Sequence, residues 1–209
     1  MKNKQKIKYF IGIDEVGRGP IAGPVTVGAF MVSVENFKKF LHLVDELNIT
    51  DSKKITSKKR EKISQILNDG IRKGLWYFHI ALSSVIIIDK QGIVIGIQKA
   101  IQKSIESVIN YYQTQPKDVS VFLDGGLRAP LEFIHQETII KGDTKVPVIS
   151  AASILAKVYR DQYMDRLDKK YQGRYDWKNN KGYGTKKHYT YLKKHGTCEV
   201  HRKSFLKQE

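Results

Sequence analysis

Three apolar runs of strand length in this chain stop at an aspartate: "FIGID" at Asp14, "VFLD" at Asp124 and "IIKGD" at Asp143. Short apolar runs bounded by glycine or acid read as buried strands, here over 8–14, 119–124 and 137–143. Two more strands are predicted in "PVTVGAFMVSV" (24–34) and "LWYFHIALSS" (75–84). Between these last two, "TSKKREKISQILNDG" predicts a helix capped by Thr56 or Ser57, with Ile63, Ile66 and Leu67 on one face and Gly70 as its stop. Ile93, Ile97, Ile101, Ile105, Val108 and Tyr112 step by 4, 4, 4, 3 and 4, the spacing of a core-facing helix over 92–112. A third helix is predicted over 150–167, where alanines permit close packing on a sheet. The order β, β, α, β, α, β, β, α with a helical tail specifies a mixed α/β sheet.

In open α/β sheets the carboxyl ends of strands converge, so acids distant in sequence can share one site. Asp14, Glu15, Asp124 and Asp143 are the candidates. Clustered carboxylates repel unless cations compensate or some groups keep a proton. A donor set of oxygen alone, without His or Cys, selects hard ions such as Mg²⁺ or Mn²⁺, and a pair of them can clamp the attacking and leaving oxygens of a displacement at phosphorus. The competing reading makes each Asp a turn former or helix cap, Asp124 and Asp143 being beside glycine. Neighbouring strand residues face opposite ways, so Asp14 and Glu15 share a site only if the chain bends, which Gly17 and Gly19 could supply. "GRGPIAG" is not a dinucleotide fingerprint: its spacing is G-x-G-x-x-x-G, it contains Pro20, and a strand pattern follows it. It reads instead as a turn whose bare backbone can meet a sugar closely.

The chain has 209 residues, enough for one domain, which we divide into residues 1–168 and a basic extension, 169–209, packed on the same domain. It carries 37 Lys and Arg against 21 Asp and Glu, a formal +16, which calls for an anionic partner. Twelve Lys or Arg and three Asp or Glu fall in 169–209, so +9 of that charge lies there, interleaved with seven aromatics. Such a mix suits nucleic acid, phosphates meeting charge and bases or sugars meeting rings; a docked helix with solvated lysines is the alternative. No apolar run approaches the roughly 20 residues of a membrane span, no secretory signal is read, and the single Cys198 allows no internal disulfide. A soluble, cytoplasmic monomer is expected. The six histidines show no zinc-ligand spacing; His188 is expected to be a capped or surface residue.

"GIDEVGRGPIAGPV", "DSKKIT", "FLDGG", "KGDTKVPVISAASILAKVYRD", "KGYGT" with His188 following, and "HRKSF" occur in this order over nearly the whole chain. Together they resemble the ribonuclease HII family. The resemblance implies an RNase H-like fold, a mixed five-stranded sheet flanked by helices, and a four-acid metal site falling on Asp14, Glu15, Asp124 and Asp143 for Mg²⁺ or Mn²⁺. It places the family's glycine-arginine-glycine turn on Gly17, Arg18 and Gly19, to read the 2′-hydroxyl at an RNA to DNA junction, and Tyr183 on the tyrosine that packs against the following deoxyribose. The implied reaction is hydrolysis 5′ to a ribonucleotide in an RNA/DNA hybrid or in duplex DNA. Lys53, Lys157 and Arg160 are expected either to contact phosphate or to form surface ion pairs.

The chain departs from the family pattern in "LDGGL", where many relatives have asparagine in place of Gly126. Asp161 competes for the role of fourth acid, with a structural ion pair as its other reading. The related ribonuclease HIII subfamily, with its extra N-terminal domain, is disfavoured by the arginine in the turn. Two other functions remain to be separated by assay: a non-catalytic nucleic-acid-binding protein, and a DNA nuclease or transposase of the same fold.

Overall fold

The computed structural model describes residues 6–49 and 55–206. A five-stranded sheet has the order β3-β2-β1-β4-β5, with β1 Tyr9–Val16, β2 Val25–Ser33, β3 Trp76–Ser83, β4 Val119–Asp124 and β5 Gln136–Ile139. β1 to β3 form an antiparallel meander, while β4 lies parallel to β1 and β5 parallel to β4. This is the expected mixed sheet. The helices are α1 Val34–Leu47, α2 Ser57–Arg72, α3 Val85–Gln91, α4 Ile93–Tyr111, α5 Pro147–Lys170, α6 Trp177–Asn180 and α7 Lys186–His195.

Each face of the sheet has its own core. On one, Ile97, Ala100, Ile101 and Ile105 of α4 cover Val25, Val27, Ile11 and Ile13. On the other, α1, α2 and α5 bring Phe40, Leu67, Ala151 and Ala152 against Phe30 and Val32. The second face is unusually tight: a Cβ on Gly12 of β1 would stand 2.1 Å from the Val148 carbonyl carbon, and one on Gly28 of β2 would stand 2.7 Å from the Ala152 oxygen. Glycine on the strands and alanine on α5 thus let a helix lie almost backbone to backbone on the sheet centre. That contact fixes which α5 residues overhang the strand ends.

Several expected boundaries move. α1 was not anticipated, although Phe37, Phe40, Leu43, Val44 and Leu47 have helical spacing and the Ser33 hydroxyl accepts from Asn36 N at 3.2 Å as its cap. α3 likewise occupies a stretch that carried no expectation. Thr56 caps α2 through Lys59 N at 3.3 Å, but Gly70 does not stop that helix; it lies inside it, where the Trp76 ring takes the space of a side chain. α5 begins three residues early, because Pro147 sits in its first turn with φ already set for a helix. β5 ends at Ile139 and Asp143 falls in a single 3₁₀ turn, Gly142–Thr144, because Lys141 adopts a left-handed conformation (φ 57°) and turns the chain off the sheet.

In the tail, Tyr175 and Trp177 are not a binding face. They are buried with Ala22, Met164 and Leu167, because large rings recover more free energy from a core than from water. Tyr183 and Tyr189 stay exposed. No helix among the described residues is long and apolar enough to cross a membrane.

Gly12→Ala should lower stability by roughly 1–3 kcal/mol through overpacking, read as a shift of the urea midpoint; an unchanged midpoint would show that α5 is free to move off the sheet.

Candidate active site

β1 outruns its parallel neighbour: its last pair with β4 is Ile13 with Leu123, whereas its pairing with β2 continues to Val16. Asp14 and Glu15 lie on this overhang, and both line a cleft of about 440 Å³ together with Asp124 and Asp143. α5 contributes Ser153 and Lys157 to the wall, α2 contributes Arg60, and Gly17, Arg18, Gly19 and Tyr183 complete it. Nine of the expected site residues therefore meet at one place.

The acids differ in their settings. Asp14 is 6% exposed, and its Oδ1 accepts from Glu15 N at 2.8 Å. Burial drives its pKa up to about 8, the Ser153 hydroxyl opposing this and the charges of Asp124 and Glu15 adding to it. Glu15 is also raised by burial, against the pull of the Arg18 guanidinium 3.5 Å away. Asp124 Oδ1 accepts from Gly142 N at 2.6 Å and from Asp143 N at 3.4 Å, which ties the end of β4 to the 3₁₀ turn. The Ser150 hydroxyl donates to the Asp143 carbonyl at 2.7 Å, which fixes that turn to the start of α5.

Among the described residues no three His, Cys, Asp or Glu side chains stand at the spacing of a closed metal-ligand set. The four carboxyl groups share the cleft, but Asp124 faces backbone amides and Glu15 leans toward Arg18. Their chemistry nonetheless fits a hard divalent cation. Every acidic donor is oxygen, and burial, with the neighbouring charges of Asp124 and Glu15, favours the protonated form of Asp14.

The glycine turn is held by two arginines with no exposed surface. Arg202 donates to the carbonyls of Gly17 (2.6 Å), Arg18 (2.9 Å) and Gly23 (2.8 Å). Arg160 donates to Pro24 (3.2 Å), Ala22 (3.3 Å) and Lys181 (2.9 Å). Gly17 has φ +89°, and a Cβ there would stand 2.1 Å from Arg160 Nε, so glycine is required on both counts. Ile21 N also donates to Gly182 O at 2.9 Å, and the carbonyl of Tyr183 accepts from His188 Nδ1 at 2.9 Å. The turn and Tyr183 therefore form one braced unit.

Two expectations, those for Arg160 and His188, need correction. Arg160 makes neither a phosphate contact nor a surface ion pair, since its guanidinium is enclosed and directed at carbonyls. His188 is not at the surface: it is fully buried and accepts from Trp177 Nε1 at 3.2 Å. Asp161 makes the structural ion pair expected of it, with Lys157 at 2.7 Å, and does not line the cleft, whereas Lys157 does. Lys53 lies outside the described residues. Sequence reasoning assigned no role to Arg202, Ser153 or Arg60; "HRKSF" pointed to the first, while nothing singled out Arg60.

The family model described as Ribonuclease HII matches residues 11–208. The chain is 43% identical over 199 residues to a Ribonuclease HII of Clostridium beijerinckii, covering 95% of this chain and 68% of that one. Its fold is similar to that of the ribonuclease H2 from Pyrococcus horikoshii OT3, with TM-score 0.70 and 23% identity over 94% of this chain and 93% of that one. A crystal structure of Bst-RNase HIII in complex with Mn²⁺ has TM-score 0.62 and 16% identity, covering 80% and 56%.

Unfolded, Asp14 releases its proton near 3.8, whereas the folded, metal-free chain keeps it up to about 8. The folded state therefore binds more protons in this interval, and the contribution of Asp14 to stability is complete below about 4 and lost as pH rises through about 8. Asp14→Asn removes this slope, so the variant should gain on the wild type by up to about 1.4 kcal/mol per pH unit between these limits. Parallel stability curves in chelator would contradict the assignment. Arg202→Lys keeps the charge but cannot span three carbonyls, and should cost roughly 1–3 kcal/mol in thermal unfolding; a neutral result would show that the turn does not depend on it.

Proposed function

Because the chain belongs to the ribonuclease HII family, enzymes with ribonuclease H activity on RNA/DNA hybrids, we propose a specific reaction for it. The reaction is hydrolysis of the phosphodiester on the 5′ side of a ribonucleotide, in a hybrid or singly embedded in duplex DNA, leaving a 3′-hydroxyl and a 5′-phosphate. What supports this reading is that four acids, a bare glycine turn and an exposed tyrosine line one cleft.

Asp14, Glu15, Asp124 and Asp143 are the residues that would hold two Mg²⁺ or Mn²⁺ ions. When bound, such ions supply charge neutralisation at the attacked phosphate and a water acidic enough to act as nucleophile. The protein's own part is orientation. Asp14 sits on the central strand of the sheet, Asp124 is aimed by the Gly142 and Asp143 amides, and Arg18 holds Glu15 at the cleft's edge. A Cβ on Gly19 would come no nearer than 4.0 Å to any atom, that atom being on the Tyr183 ring. The space left by the missing side chain adjoins the ring, where a ribose could lie with its 2′-hydroxyl on the turn and the next sugar on Tyr183. A hydroxyl read by fixed hydrogen-bond partners discriminates strongly, because its absence leaves those partners unpaired. Lys157 brings positive charge to the same wall, and the basic extension, 169–209, is assigned to the flanking duplex.

Two duplexes differing only in one 2′-hydroxyl test the reading. Cleavage should occur only where the hydroxyl is present, on its 5′ side, and Asp124→Asn should reduce kcat by roughly 10²-fold or more. Equal cutting of the all-DNA duplex, or an Asp124→Asn variant as fast as wild type, would refute it.

A further inference from the structure

We propose that a second groove, on the α4 face of the sheet, receives the cleaved strand on the 5′ side of the cut, with Arg128 and Gln98 at its phosphates. This rests on the nucleic-acid substrate inferred above.

The groove has a volume of about 270 Å³, with Ile97, Ile101 and Leu127 among its lining and Gln98, Arg128 and Arg18 around them. It contains two arginines and no acid. Ile97, Ile101 and Leu127 form a buried floor, at 3%, 1% and 5% exposure, whereas Val94, Gln98 and Arg128 at the rim are exposed. An apolar floor rimmed by guanidinium groups matches a chain in which phosphates alternate with the less polar faces of sugars and bases.

Its position follows from the two-faced core. The active-site cleft takes its wall from α5 and α2 on one face of the sheet, while the groove takes its wall from α4 on the other. Arg18 lines both, so a strand bound in the cleft reaches the groove by passing over the ends of β1 and β4 at that residue. Tyr183, which takes the sugar 3′ to the ribonucleotide in the proposed reaction, lines the cleft but not the groove. The 5′ segment is thus the one that leaves over Arg18.

Gly126, two residues after Asp124, lines this passage. Nothing inside the protein requires it to be glycine: its φ is not in the left-handed region, and a Cβ would meet no atom within 4 Å. The open lip it leaves between the Asp124 strand end and Arg128 gives a phosphodiester chain room to lie against backbone.

The test measures binding to the full chain in chelator, over a series of salt concentrations, with fluorescent duplexes carrying one ribonucleotide. In one duplex the 5′ arm is long; in the other it ends blunt at the ribonucleotide. Arg128→Gln should weaken binding of the long-armed duplex by roughly 3–10-fold at low salt and reduce its salt slope by about one. The blunt duplex should bind both proteins alike. Lys117→Gln, removing one exposed charge just before β4, at the opposite end of that strand from Asp124, should leave both duplexes unaffected. The proposal is overturned if Arg128→Gln binds the long arm as wild type does, if it loses equally on both duplexes, or if Lys117→Gln loses as much. It is also overturned if a polyglutamate peptide competes at Arg128 while arm length has no effect, which would give the groove to an acidic protein. Cleavage of the same duplexes by wild type in Mg²⁺, read separately, tests the reaction itself, so a chain that binds by arm length without cutting would fail that reading and keep the groove.

Discussion

A carboxyl group enclosed at the end of the central strand is expensive in water-free surroundings, and two further carboxyl groups beside it raise the cost. Asp14 meets this by keeping its proton to about pH 8. A fold does not need such a group: an apolar residue there would remove the penalty. In the proposed reaction divalent ions would bring positive charge to this acid, and the surrounding architecture holds it and its neighbours in place. Glycines 12 and 28 let α5 lie on β1 and β2, which closes one side over Asp14 and puts Ser153 and Lys157 at the rim. The overhang of β1 past β4 leaves the other side open.

The second organising device is cationic and buried. Arg160 and Arg202 are both without exposed surface, yet neither faces a carboxylate; six backbone carbonyls receive their donors. Burial, together with the charge of Arg160, pulls Arg202 down to about 9. The carbonyls belong to residues 17–24 and to Lys181, so the two side chains fasten the glycine turn to the segment bearing Tyr183. In the proposed reaction the turn would recognise one hydroxyl group, and such bracing would favour it, since discrimination depends on donors and acceptors that do not relax when the hydroxyl is missing. The groove on the α4 face extends the same surface, through Arg18, past the sheet's edge.

Much of this was legible in the chain itself. Apolar runs ending at acids located β1 and β4 and the convergence of Asp14 with Asp124, because strand periodicity and the topology of α/β sheets leave few alternatives. The same reading reached Asp143, and the resemblance added the role of Tyr183, which composition could not have selected. What escaped was set by tertiary contact. Gly70 has the look of a helix stop, but whether it ends a helix or admits a tryptophan depends on where Trp76 lies. Arg160 has the sequence context of a surface helix residue, since a single arginine on α5 does not reveal that three carbonyls from distant loops await it. Tyr175 and Trp177 read as a binding face because aromatics suit both cores and nucleic acids. α1 was overlooked although its capping serine and apolar spacing were present.

The central claim is that the buried acid of β1 exchanges its proton for a metal ion. Calorimetric titration of Mn²⁺ into the protein at pH 7, repeated in buffers of different ionisation enthalpy, measures this directly through the protons released on binding. The account predicts release of about one proton per protein at pH 7, fading as the pH is raised beyond about 8, where Asp14 is already ionised. Binding with no proton release, or the same release from Asp14→Asn, would contradict it.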